Sequence, residues 1–196
     1  MKKLIVLLLV SVYTYAGNEA MFGLNFGQTP KEIRALGTTL ILKNANNNLS
    51  SYSCTSLPKN TSSAESYTLI FSNDSLVKII MIGVDIVNDV YGNEGKEVFM
   101  NTLELLKKKY TLDLFRTDLG LTLYNELDEF YQCLAYDGCG LYAATLKNNT
   151  KNISLQLKGL ERGKGYLLLT IEAEPEFTIA LEKSKNITNK GDLEAF

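Results

Sequence analysis

Glu94 to Tyr110 is the stretch that most limits what this chain can become. Phe99, Leu103, Leu106 and Tyr110 recur at i, i+4, i+7 and i+11, so they share one face of a helix. Glu94 and Glu97 stand in the first turn and Lys107, Lys108 and Lys109 in the last, which complements the helix dipole. On either side the pattern changes to short apolar runs with period two. A single long amphipathic helix between two stretches of alternating strands predicts antiparallel sheet covered on one face.

The flanking strands follow from that change of period. Thr38–Lys43, Leu49–Ser56, Ser66–Ser72 and Leu76–Val84 read as strands before the helix. Asn73-Asp74-Ser75 turns the last two into a hairpin. Beyond the helix, strands are expected at Leu112–Arg116, Glu129–Leu134, Gly140–Lys147, Asn152–Leu157 and Gly165–Ala173. The glycine-rich run Gly159–Gly165 supplies a turn and lacks the spacing of a phosphate-binding loop. Leu119–Leu127 fits no single period, and a short helix is expected over Glu176–Lys185 before a polar tail.

A second helix opens nearer the start. Thr29 caps it, Pro30 suits the first helical position and Glu32 completes a capping box; Gly37 stops it. Phe22, Leu24 and Phe26 alternate ahead of it like a short strand. The expected fold class is therefore α+β, an antiparallel sheet with helices on one face. The helix-then-strands pattern occurs twice, over residues 17–90 and 91–185, followed by a tail over 186–196.

Residues 1–16 read as a secretory signal peptide. Lys2 and Lys3 precede an apolar run from Leu4 to Val12, and Ala16 offers a small residue for cleavage. The run is too short for a hydrocarbon core of ~30 Å, so no stable membrane anchor is expected. A compact positive leader of this kind predicts a bacterial periplasmic, or secreted, protein.

The 196-residue chain has no histidine and a formal net charge of −2. The absence of histidine removes Ser–His and Cys–His activation, the usual general base and the commonest transition-metal ligand. A mildly acidic chain with no basic stripe is poorly suited to nucleic acid or anionic membrane. No catalytic residue, cofactor or metal site is assigned.

Cys133 and Cys139 flank Leu134-Ala135-Tyr136-Asp137-Gly138. Asp-Gly is a strong turn signal, so the two cysteines are expected opposite each other on a hairpin, within reach of a disulfide. Spacing alone leaves a bridge to Cys54 open as well. Tyr124, Tyr131, Tyr136 and Tyr142 gather around this loop. Tyr131, Tyr136, Asp137 and Tyr142 are the candidate binding residues, because rigid aromatics anchor interfaces at low entropic cost.

Two acidic groups compete with that reading. Asp85, Asn88, Asp89, Asn93 and Glu94 form an oxygen-rich joint of the kind that can hold Ca²⁺, without the spacing of an EF-hand loop. Asp89 or Asn93 can equally cap the long helix. Glu172, Glu174 and Glu176 alternate, and paired carboxylates serve glycoside hydrolysis.

Phe22–Gly37, FGLNFGQTPKEIRALG, resembles the helix opening of small exported bacterial modules. These are the outer-membrane-assembly small lipoproteins and the β-lactamase-inhibitor-like proteins. Gly23, Gly27, Thr29, Glu32 and Ile33 carry the likeness over about sixteen residues. Gln28 stands where those families have Met, there is no lipid-attachment Cys, and the second half does not repeat the motif. The resemblance implies a helix packed on antiparallel strands, sometimes in tandem, and action by binding proteins. It carries over no binding residue. The expected function is thus an exported, non-enzymatic protein that binds or inhibits another exported protein. The alternatives are a carboxylate-based hydrolase of cell-wall or glycan material, or a small-ligand or Ca²⁺ carrier.

Overall fold

The computed structural model describes residues 19–46, 48–120, 123–174 and 179. The expected signal peptide and tail, and all of 176–185 except Ile179, lie outside the described residues.

The long helical stripe forms α2, Asn93–Lys107, which buries Phe99, Leu103 and Leu106. The capping box forms as expected. Thr29 caps α1, Pro30–Ala35, its hydroxyl accepting from the Glu32 N–H while Glu32 accepts from the Thr29 N–H. Among the described residues, eight strands follow the period-two segments. They are β1 (Ile41–Asn46), β2 (Leu49–Cys54), β3 (Ala64–Ser72), β4 (Ser75–Gly83), β5 (Thr111–Asp118), β6 (Leu141–Lys147), β7 (Lys151–Glu161) and β8 (Lys164–Ala173).

All eight lie in one antiparallel sheet, ordered β1-β2-β3-β4-β8-β7-β6-β5. Helix plus four-strand meander occurs twice, and the two meanders meet at the centre through β4 and β8. The fold is α+β, as the alternation predicted.

Alternation separates the two faces. Tyr52, Leu69, Ile79, Ile171, Ile153 and Leu146 are cross-strand neighbours in one row. They belong to or pack against a core that also holds Ile33 of α1 and the buried face of α2. The adjacent row, Ser53, Thr68, Ile80, Thr170, Ser154 and Thr145, points the other way and is half-buried. No described helix covers that outer face. Each ordinary Leu or Ile of the inner rows contributes about 1.5–3 kcal/mol when fully buried, so the helices are held mainly by the inner face.

Two of the expected strands do not form. Phe22–Phe26 is not a strand. Phe22 (φ 56°), Gly23 (φ 78°) and Gly27 (φ 85°) take left-handed backbone that turns the chain, leaving one isolated bridge between Glu19 and Asn25. Glu129–Leu134 is not a strand either. It forms a 3-10 turn at Leu127–Glu129 that runs into α3, Phe130–Ala135. Phe130, Tyr131, Cys133 and Leu134 are buried, and the i, i+1, i+3, i+4 spacing of these residues fits a helical face. The run is too short for period alone to separate helix from strand.

The two halves differ most at one connection. Only positions 47 and 48 separate β1 from β2, whereas 119–140 separate β5 from β6. The second half therefore carries an insertion at the place where the first has a tight turn, and α3 lies inside it.

Candidate functional site

The insertion is fastened from within. Cys133 and Cys139 are bridged, with Cα atoms 5.1 Å apart. The bond ties α3 to the turn before β6, not one hairpin arm to the other. Cys54 is free and buried in the core. Burial pushes its thiol up to about 11, far from the range of a reactive thiolate.

Tyr131 anchors α3 to the sheet. It is 0% exposed, and it occupies a cradle of glycines. A Cβ at Gly95 would meet its hydroxyl, one at Gly159 its carbonyl oxygen, and one at Gly165 its ring. The Gly159–Gly165 run therefore does more than turn the chain. It clears space for the α3 backbone at Gly159 and for the Tyr131 ring at Gly165.

The Tyr131 hydroxyl donates to Asp89 Oδ2 at 2.8 Å. The N-cap of α2 is Gly92, which has no side chain to cap with, and Asp89 Oδ2 accepts the Gly95 N–H at 2.9 Å instead. Burial would raise the Asp89 carboxyl, but bonds from the Gly95 N–H and the Tyr131 hydroxyl, with neighbouring amides, hold it below the usual range. Burial and the bond to Asp89 push the Tyr131 phenol up. Asp89 is thus committed to folding. Asp85 pairs with Lys164 at 2.9 Å. Among the described residues no group of three or more acidic, Cys or His side chains has metal-holding geometry.

The four candidate binding residues separate clearly. Tyr131 and Tyr142 are core residues, Tyr142 being 8% exposed and packed edge-on to Phe99 and Phe130. Neither can present its ring to a partner. Tyr136 is 51% exposed, and Asp137 beside it is also exposed. Both follow α3 within the disulfide-closed loop.

Residues outside that short loop complete the surface. Leu127 is 84% exposed, and Leu119, Leu123 and Leu160 are exposed too. Tyr124 meets Tyr136 edge-on, centroids 5.9 Å apart. A notch of about 190 Å³ lies between Tyr124, Gln132, Ala135, Tyr136 and Leu160. A second hollow of about 200 Å³ runs past Leu119, Leu127 and Phe130. The 119–127 segment gave no periodic signal, so its leucines were not legible as a surface. Leu127 next to two acids, in a segment without strand or helix period, was the one hint.

Two other hollows are differently built. One of about 270 Å³ on the outer sheet face is lined by Asp113, Lys147, Asn152 and Glu172 among others. Its carboxylates are ion-paired, Glu172 with Lys78 at 2.5 Å and Asp113 with Lys147. Glu174 accepts from Asn152, and Glu176 lies outside the described residues. The other, about 450 Å³, borders α1 at Phe26, Gln28, Glu32 and Leu36. Gln28 and Glu32 already bond to the neighbouring backbone there.

No protein-family model matches this chain, and no characterised protein or solved structure does either.

Proposed function

We propose that this chain is an exported, non-enzymatic protein that binds another exported protein through the 119–140 insertion. One observation carries the reading. The two halves share helix and strands, and the second adds a disulfide-fastened insertion that exposes Leu119, Leu123, Leu127 and Tyr136. Several exposed apolar side chains carried on one rigid segment are a recurrent mark of protein contact surfaces. A large aromatic at the centre of such a patch serves as an anchor.

The leader over 1–16 and the disulfide both fit an oxidising compartment, and the periplasm is the proposed location. The likeness of Phe22–Gly37 to exported binding modules supports the same reading. The ion-paired carboxylates on the outer face lend nothing specific to a hydrolase, and Asp89, tied to Gly95 and Tyr131, lends nothing to a Ca²⁺ carrier.

The test compares wild type with a Leu127→Glu, Tyr136→Ala double variant, each checked for folding by circular dichroism. Crosslinking pull-downs from periplasm recover a specific protein with wild type and lose it with the variant. Equal recovery by both would move the contact elsewhere.

A further inference from the structure

The notch beside Tyr136 holds a polar group without a partner. Among the buried side-chain nitrogen and oxygen atoms of the described residues, Gln132 Oε1 is the one that makes no hydrogen bond. A buried acceptor left unmade keeps the full cost of its lost hydration. Gln132 lines the notch with its oxygen shielded from solvent, and the broad torsion of its terminal amide lets that oxygen turn toward a bound donor.

Resting on the reading of 119–140 as a contact surface, we propose that the notch receives an arginine side chain of the partner protein. Three observations converge on that chemistry. The first is the unfilled acceptor, which calls for a donor. The second is the pair of tyrosine rings, Tyr124 and Tyr136, whose faces attract a flat cation. The third is charge. Residues 119–140 contain no basic residue and four acids; Asp128 is paired with Arg162, and Glu126, Glu129 and Asp137 keep the segment acidic around the notch, whose own lining is uncharged.

Two of the protein's own cations nearby are already engaged. Arg162 pairs with Asp128, and Lys96 donates to the Tyr91 carbonyl at 3.0 Å while lying over Phe130. Ala135 and Leu160 supply apolar walls for the arginine methylenes. A guanidinium lies flat on a ring and still donates in its plane, which a lysine ammonium does not match. An apolar side chain would fill the notch and leave the Gln132 oxygen unpaired.

The test is a titration of the isotopically labelled mature chain, followed by NMR at the Gln132 side-chain amide and at Tyr136. The probes are four capped tripeptides, glycine–X–glycine, with X arginine, citrulline, lysine or leucine. The arginine peptide shifts both signals. The citrulline peptide, of the same shape without charge, binds about tenfold more weakly or worse, as loss of a charged hydrogen bond implies. Gln132→Leu weakens the arginine peptide by about tenfold, and Gln132→Glu tightens it. Equal shifts with leucine and arginine overturn the proposal, as does an unchanged affinity in Gln132→Leu. A partner that still crosslinks at Leu127 while arginine peptides leave the notch silent overturns this inference alone and leaves the contact surface standing.

Discussion

The hydroxyl of Tyr131 and the amide of Gly95 both donate to one oxygen of Asp89, at 2.8 and 2.9 Å. One carboxylate, from the joint between the halves, thereby caps α2 and pins α3. The insertion is locked to the sheet at the point where the second half begins. Tyr131→Phe removes the phenol and leaves the buried Asp89 short of a donor. The expected loss is about 1–3 kcal/mol, read as a lowered midpoint in urea. An unchanged midpoint would show that the bond contributes nothing net.

Asp89 also sets an acid limit. Its folded carboxyl lies below the usual value of 3.8. The stabilisation is therefore complete above the unfolded value and is lost as pH falls through the lower folded one. Asp89→Asn removes this part of the acid dependence. Stability curves for wild type and Asp89→Asn should differ fully above the unfolded carboxyl value and converge as pH falls through the lowered folded one. Parallel curves would contradict the assignment.

The glycine cradle makes a sharper demand. A methyl group at Gly159 would strike the Tyr131 carbonyl oxygen, which is backbone and cannot swing aside. Gly159→Ala should cost about 1–3 kcal/mol or more through overpacking. Gly138 has open space around its Cβ position but a φ of 82°. Gly138→Ala should cost a strain of order 1 kcal/mol instead. Thermal melts of the two variants separate the causes by size.

The cysteines should report independently. Cys54, buried and with its thiol pushed up to about 11, resists iodoacetamide in the native protein and reacts once urea unfolds it. Reducing the Cys133–Cys139 bridge should cost about 2 kcal/mol, the chain-entropy value for so short a loop. Hydrogen exchange should rise first in 123–139, before the sheet. Uniform loss of protection would mean that the bridge supports the whole fold.

Much of this was legible in the residues themselves. Phe99, Leu103 and Leu106 announced α2, and Thr29 with Glu32 announced α1, because helix signals are local. Asn73-Asp74 gave its hairpin for the same reason, both residues taking positive φ. What stayed hidden was non-local. Nothing within FYQCLA distinguishes a strand from the short helix whose Tyr131 fills a hole made by Gly95, Gly159 and Gly165. Asp89 offered oxygen in an acidic joint, and only its meeting with Tyr131 shows that the oxygen is spent on folding. Tyr131 and Tyr142 share a residue type with Tyr136, but position in the sheet and helix decides which ring faces solvent. The insertion became visible only when the strand order set β5–β6 beside β1–β2.

The most direct measurement places a photo-crosslinking side chain at Leu127, 84% exposed in the insertion, and separately at Asn48, in the matching turn of the first half. Each is activated in intact cells that export the protein. Position 127 should give a discrete protein adduct that disappears in a Tyr136→Ala background, and position 48 none. No adduct from 127 in a folded, exported protein, or the same adduct from 48, would contradict the proposed contact surface.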